Sequence, residues 1–523
     1  MTLSLLFLSL NLSYLFHSSI ARSSALQHSN HSGYVDSIYG RSRRQLYSQD
    51  DLQMSEEEYI QKLSKLAQGY MSNSDLEKVM KEFNSRCGNI SRLYRGLLEI
   101  TISIGKSVLG VPLWALEISD LPGKIEAEPA FKFIGNVHGD EPVGRELLLL
   151  LANWLCNNYL KDPLATLIVD RVHLHILPSM NPDGFSMMRR GNANNIDLNR
   201  DFPDQYSLQK LCPGWFFPGN DDMDSRQPET KAIMNWLEDI RFTASASLHG
   251  GGHNNEGALV ANYPWDGTED KKKNYYGCPD DQTFRFLASI YSRSHYNMSR
   301  SKEFPGGITN GALWYPIYGG MQDWNYINSG CFELTLEISD NKWPNASELP
   351  TLWEYNRMSM LNLVASLVKT GIHGRISSSD NGRSLPASIA IGGIIYTVAA
   401  SEKFADYHRL LAPGGKYEVI ATMPGYRSRT ACVVLGEGSM TVDFVLDPET
   451  DAEGSQFSVD PGCYFESTSG VQVLDILPVP RLEISAILIL ILGFLFFLLT
   501  RRVRSNHLNH KETTTPVSKR AVV

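Results

Sequence analysis

FKFIGNVHGDEPVGRELLLLLANWLCNNYL, residues 131–160, decides the reading of the fold. FKFIGNV is a short apolar run bounded by turn residues, which suits a buried strand. RELLLLLANWLCNNYL is apolar on most sides and reads as a largely buried helix. Strand, turn and helix in that order belong to an α/β domain. Functional clefts in such domains lie at the carboxyl ends of strands. A Gly/Pro-rich turn needs no acid or histidine, yet His138 and Glu141 sit in this one, three residues apart. A local hydrogen bond is the ordinary explanation. A turn straight after a strand can also aim both side chains at one point above the sheet.

A zinc catalyst needs three N/O ligands and an open position for water. FTASASLHGG, residues 242–251, reads as a strand ending in His249, with His253 as a competing candidate four residues on. His249 is preferred because it stands directly at the strand end. Bound water also needs a base to move its protons. CFELTLEIS, residues 331–339, places Glu333 and Glu337 on one face of an otherwise apolar strand. A carboxylate there is costly unless it has a partner. Glu337 is taken as the base, although Glu333 and Glu337 are not separable by pattern. RRGNANNIDLNRDFPD, residues 189–204, concentrates arginines, asparagines and acids. An arginine fork suits a planar carboxylate; a solvated surface loop is the plain alternative.

Helical spacing recurs at 59–71, 75–86 and 228–240, and strand patterns at 97–105, 113–119 and 172–177. Residues 51–370 are therefore expected to form one α/β domain. Residues 371–447 change to short alternating segments split by Gly, Pro, Asn or Ser, the pattern of a small β-sandwich. Residues 448–481 read as a stalk.

The ends resemble targeting segments. Residues 1–23 read as a signal peptide. Residues 24–50 are a possible pro-segment whose Arg41-Ser42-Arg43-Arg44 resembles a convertase site; a solvated basic turn is the alternative. Residues 482–500 contain ISAILILILGFLFFLL and read as one transmembrane helix, with a basic cytosolic tail over 501–523. The expected topology is a single-pass type I protein of the Golgi, endosome or cell surface. Sequons at Asn30, Asn89, Asn297 and Asn345 fit a lumenal body. Seven cysteines suggest disulfides with at least one thiol left over. A net charge of −9 argues against nucleic acid as a partner.

GNVHGDEPVGRELLL, LPSMNPDGF, NNIDLNRDFPD, SLHGG, GALVANYP, TNGALWYP, GGMQDWNY and CFELTLEIS resemble, in order, the zinc metallocarboxypeptidases of the regulatory branch containing carboxypeptidases D, E, M and N. One catalytic domain with one span looks like the plant membrane-bound relatives of carboxypeptidase D. The resemblance implies a mixed-sheet α/β/α domain followed by a transthyretin-like β domain. It implies one zinc ion held by His138, Glu141 and His249, and Glu337 as general base and acid. It implies Arg190 at the oxyanion, Asn199 and Arg200 on the substrate's terminal carboxylate, and Tyr315 over the bound residue. Asp266, with Gln322 lining the pocket, implies removal of C-terminal Lys or Arg from peptides and processing intermediates. Two departures stand out. GHNNEG, residues 252–257, intervenes between SLHGG and ALV, and Cys331 lacks the second cysteine often seen after its strand. A catalytically silent binding protein is the rival reading, as is a related zinc amidohydrolase. Silent members of the branch lose ligands or the base, and all are present here.

Overall fold

The computed structural model describes residues 69–93, 103–206, 225–251 and 259–449, with Cys463. The expected signal peptide, possible pro-segment, most of the expected 59–71 helix, the GHNNEG insertion with His253, Cys212, the expected stalk beyond 449 apart from Cys463, and the expected membrane span and tail lie outside the described residues. Among the described residues no helix is long and apolar enough to cross a membrane.

Helix α1 (Asn73–Arg86) opens on a capping box between Ser72 and Asp75. Strands β1 (Ser91–Leu93), β2 (Leu116–Ile118) and β3 (Ala130–Gly135) follow, then helices α2 (Val143–Asn158) and α3 (Pro163–Arg171). Asp162 caps α3 and Pro163 starts it, the usual entry chemistry of a helix. Next come β4 (His173–Leu177), α4 (Pro182–Ser186), α5 (Pro228–Asp239), β5 (Phe242–His249) and β6 (Val260–Tyr263). The domain closes with α6 (Asp281–Ser294), β7 (Ile308–Asn310), α7 (Gly311–Trp314), α8 (Met321–Ser329), β8 (Phe332–Glu337) and α9 (Leu349–Lys369).

The eight strands form one mixed sheet in the order β1-β2-β4-β3-β5-β8-β6-β7. Strands β4, β3, β5 and β8 are parallel, while β2 and β6 flank them antiparallel. Every residue of β3 and β8 is buried, because helices cover both faces. Residues of α1, α2, α3, α6 and α9 share one apolar core, and residues of α5 and α8 share another. The three-layer arrangement agrees with the expected α/β/α class. The chain leaves β3 for β4 on one side and returns with β5 on the other. That reversal opens a crevice above the carboxyl ends of β3 and β5.

Some elements differ from expectation. Of the strand expected at 97–105 only 103–105 are described; they are not in a strand, and Gly105 lies so close to α5 that an added Cβ would meet Ala232 Cβ at 2.6 Å. Helices α3, α6, α8 and α9 have no counterpart in the sequence reading.

Residues 372–446 fold into two small sheets around a core of Ile376, Ile389, Tyr407, Val419, Val433 and Phe444. The strands are β9 (Ile372–Ser378), β10 (Ser388–Ile391), β11 (Ile394–Ala399), β12 (Asp406–Arg409), β13 (Lys416–Thr422), β14 (Arg429–Val434), β15 (Met440–Thr441) and β16 (Phe444–Leu446). One sheet runs β11-β10-β13-β14; the other is β12-β9-β15, with β16 also on β9. MTVDFVLD, read as one strand, breaks in two. The Asp443 side chain accepts from Arg375 N, a donor that an unbroken ladder would use, so pairing stops there. Disulfides join Cys87 to Cys156 and Cys432 to Cys463, while Cys278 and Cys331 are buried thiols.

Candidate active site

The turn after β3 is built by Asn136. Its φ of 54° is the left-handed region, which asparagine tolerates better than most residues. Its amide Nδ2 donates to the carbonyls of His138 and Gly139 at 2.9 and 3.3 Å, and its Oδ1 accepts from Ser179 Oγ. Gly139 is required by packing, since a Cβ there would lie 2.1 Å from the backbone of Gly184. The clamped turn presents His138 and Glu141, both nearly fully buried. Strand β5 ends in His249, also buried, and pairing of β5 with β8 sets His249 directly opposite Glu337.

The three expected ligands come together. His138 Nδ1 lies 3.0 Å from Glu141 Oε2, His249 Nδ1 lies 3.0 Å from the same oxygen, and the two Nδ1 atoms are 3.1 Å apart. Asp197 accepts from His138 Nε2 at 3.1 Å, and Arg190 Nη1 donates toward His138 Nδ1 at 3.1 Å. The contact of Nε2 with Asp197 leaves Nδ1 as the nitrogen turned toward Glu141 and His249, the atom available to a metal. Tetrahedral zinc with bonds of about 2.0–2.1 Å sets its ligand atoms about 3.3 Å apart. The three donors fit such an ion in identity and spacing.

Around the trio lies a cavity of about 400 Å³ lined by Arg190, Asn199, Arg200, Asp266, Tyr315 and Glu337 among others. Arg190 is oriented by Asp197, which accepts from its Nε at 2.9 Å. Burial raises the Asp197 carboxyl, yet the His138 hydrogen bond and the charges of His138, Arg190 and Arg200 outweigh it and hold Asp197 well below the usual carboxylate range. The Leu198–Arg200 turn is a single 3₁₀ turn capped by Asp197, and Asn199 Oδ1 accepts from Met321 N at 2.9 Å. Burial, and then the Glu141 carboxylate, push Glu337 up to about 8; His138, Lys342 and Arg190 pull the other way. Glu337 Oε2 and Asp266 Oδ2 are buried without a hydrogen-bond partner among the described residues.

Glu333 is resolved from Glu337 by position. It lies below the cavity, where Ser245 Oγ donates to it at 2.7 Å, Asn325 Nδ2 also donates, and Lys132 Nζ stands 3.9 Å away. Gln322 is a correction: it does not line the cavity. Its Nε2 donates to Asp266 Oδ1 at 2.9 Å and its Oε1 accepts from Thr335 N, so both ends of the amide are engaged behind Asp266. Two residues were missed by sequence. Asp197 was visible only as an acid within the arginine-rich loop. Lys342, five residues past Glu337, donates to Glu141 Oε1 at 2.7 Å and leaves Oε2 facing the histidines.

Two imidazoles and a carboxylate brought to one point suit zinc, and a separate carboxylate beside them suits proton transfer, so the class is a zinc-dependent hydrolase. The zinc carboxypeptidase family, peptidase M14, matches residues 76–359. The chain is 65% identical over 441 residues to Carboxypeptidase SOL1 of Arabidopsis thaliana, covering 84% of this chain and 85% of that one. It is 42% identical over 393 residues to Carboxypeptidase D of Homo sapiens, covering 71% of this chain but 26% of that one, so it spans about a quarter of that relative. It is 38% identical over 403 residues to the Carboxypeptidase N catalytic chain of Mus musculus, covering 71% of this chain and 84% of that one. The chain belongs to the zinc carboxypeptidase family and is a metallocarboxypeptidase.

Asp197 generates a prediction. Asp197→Ala should weaken zinc affinity about 10–100-fold by freeing the His138 ring, measured by competition with a chelator. An unchanged zinc affinity would show that Asp197 has no part in orienting the ligand.

Proposed function

We propose that the enzyme removes C-terminal lysine or arginine from peptides and proprotein-processing intermediates. The observation that carries this reading is Asp266. It lines the cavity, is 1% exposed, and presents Oδ2 with no donor. A buried carboxylate oxygen without a partner is costly, and a cationic substrate side chain would satisfy it. Its other oxygen is committed, since Asn262 Nδ2 and Gln322 Nε2 both donate to Oδ1. Gly311 gives the close approach that the site needs: a Cβ there would lie 2.1 Å from Asp266 Oδ1.

The roles follow from position. His138 Nδ1, Glu141 and His249 Nδ1 would hold zinc, which supplies Lewis acidity when bound. Glu337 takes a proton from the attacking water and passes it to the leaving amine. The Arg190 guanidinium faces the developing oxyanion. Asn199 and Arg200 bind the terminal carboxylate, which makes the enzyme exo-acting. Tyr315, on the cavity wall just past α7, closes over the terminal residue.

We also place the catalytic domain in the lumen of the secretory or endosomal system, tethered by the 482–500 span. Two disulfides support an oxidising compartment. Membrane association of the full chain should resist alkaline carbonate and be lost on truncation before Leu482. Extraction of the full chain by carbonate would remove the anchor.

Glu337→Gln should lower kcat about 10²–10⁴-fold with zinc content unchanged. A peptide with amidated C-terminal arginine should not be cleaved; its cleavage would refute the carboxylate clamp. Asp266→Asn should cost about 100-fold in kcat/KM for arginine-ending peptides and little for leucine-ending ones. Asp266 is pushed up to about 6, mainly by burial, with Glu333 adding and Asn262 and Arg200 opposing. Its neighbour Asp323, which accepts twice from Asp266 N, is raised well above the usual range by burial and by Asp266. A raised carboxyl pKa means a neutral Asp266 at lower pH. The arginine-over-leucine ratio should therefore fall as pH drops through about 6. A ratio flat from pH 7 to pH 5 would contradict the assignment.

A further inference from the structure

We infer that the small β domain positions the substrate pocket, acting through helix α8. The two ends of this nine-residue helix face different tasks. Its first turn holds the pocket. Gln322 Nε2 donates to Asp266 Oδ1, Asp323 accepts from Asp266 N at 3.0 Å, and Met321 N donates to Asn199 Oδ1 at 2.9 Å. Its last full turn is held from the β domain. Tyr326 lies four residues after Gln322, on the same side of the helix. The Tyr326 hydroxyl donates to Asp280 Oδ2 at 2.6 Å. Arg409, the last residue of β12, donates from Nη2 to both Asp280 oxygens at 2.7 and 2.9 Å. Both side chains of that pair are fully buried. Tyr396 of β11 stacks on the Tyr326 ring with centroids 4.8 Å apart, and the Arg409 guanidinium lies 5.5 Å from the Phe332 ring centroid.

A fully buried ion pair between two domains is an expensive way to hold them together, and apolar residues of the same volume would often do as well. What the pair adds is direction. It fixes Asp280, Asp280 fixes Tyr326, and Tyr326 sets the position of the helix whose other end holds Asp266 and Asn199. Arg409, Asp280, Tyr326 and Tyr396 are thus positioning residues for substrate recognition, and none of them lines the cavity. For Asp266 the inference rests on the basic-residue reading above; for Asn199 it rests on the carboxylate clamp.

The test uses the zinc-loaded full chain with matched peptides ending in arginine or leucine. Arg409→Met combined with Asp280→Asn removes the pair without stranding a charge. Tyr326→Phe removes one hydroxyl and keeps the stacked ring. Both should lower the arginine-over-leucine ratio of kcat/KM about fivefold or more, through KM, with kcat within about twofold. Arg409→Lys, which keeps a cation beside Asp280, should recover part of the ratio. Variants that melt earlier but keep wild-type KM and ratio would overturn the inference and leave these residues a structural role. A parallel fall of kcat for both peptides would overturn it too. If wild type itself does not prefer arginine, the basic-residue reading has failed. The inference is then decided by KM for the leucine peptide with its free carboxylate, which must rise in the same variants because Asn199 depends on α8.

Discussion

Pairing of β5 with β8 sets His249 opposite Glu337, and pairing of β5 with β3 sets Leu248 opposite Gly135. The metal donors, the base and the cavity all depend on that register. Side chains alternate across a strand, so a slip of one residue would turn His249 and Glu337 to the other face of the sheet. The register is held by burial: residues such as Leu248, Leu334 and Leu336 are fully enclosed between the helical layers. The Asn136 turn then brings a third and fourth group, His138 and Glu141, to the same level. His249 and Glu337 are placed accurately because they stand on packed strand ends.

The same strand separates two carboxylates that look alike in sequence. Glu333 sits between Ser245, Asn325 and Lys132, so a cation and donors surround it and it is committed to the fold. Glu337 sits four residues on, where the strand runs out of the sheet and into the cavity. It lines the cavity, and Glu333 does not. Distance along β8 converts the same residue type from a structural counter-ion to a cavity-lining carboxylate, the proposed base. Lys132, fully buried beneath the site and 4.7 Å from the Phe242 ring centroid, completes that lower layer.

Much of this was legible because it rests on short-range signals. FKFIGNV and FTASASLH alternate too little to be half-exposed and are short enough for strands, and both are buried strands. His138, Glu141 and His249 were reachable because each stands at a strand end. What was not legible depends on long-range contact. The separation of Glu333 from Glu337 needs Lys132, two hundred residues away in sequence but adjacent in space. Lys342 gives no local sign of touching Glu141. Helix α8 escapes a periodicity reading because MQDWNYINS spends its buried face on polar groups. Gln322, Asp323 and Asn325 are all buried there and bonded to other elements, interleaved with buried Met321, Trp324 and Tyr326, so the sequence shows no clean separation of apolar and polar faces.

That share of buried polar groups says what α8 is for. A helix that only covered a sheet would bury leucines, as α2 does. Burying amides and a carboxylate is unfavourable unless each finds a partner, and here each partner is specific: Asp266, Thr335 and Glu333. Polar burial fixes orientation where apolar burial fixes only proximity, because hydrogen bonds have direction and hydrophobic contact does not. The metal donors gain their precision from strand register and a clamped turn. Asp266, the proposed specificity acid, stands just beyond β6, past the end of any ladder, and must be oriented from outside. Gln322 and Asp323 supply that orientation from one side of Asp266, Asn262 supplies it from another, and Gly311 leaves the room for it. The metal-binding trio and the proposed specificity acid are therefore held by separate physical means, register and a clamped turn for the first and directed polar contacts for the second.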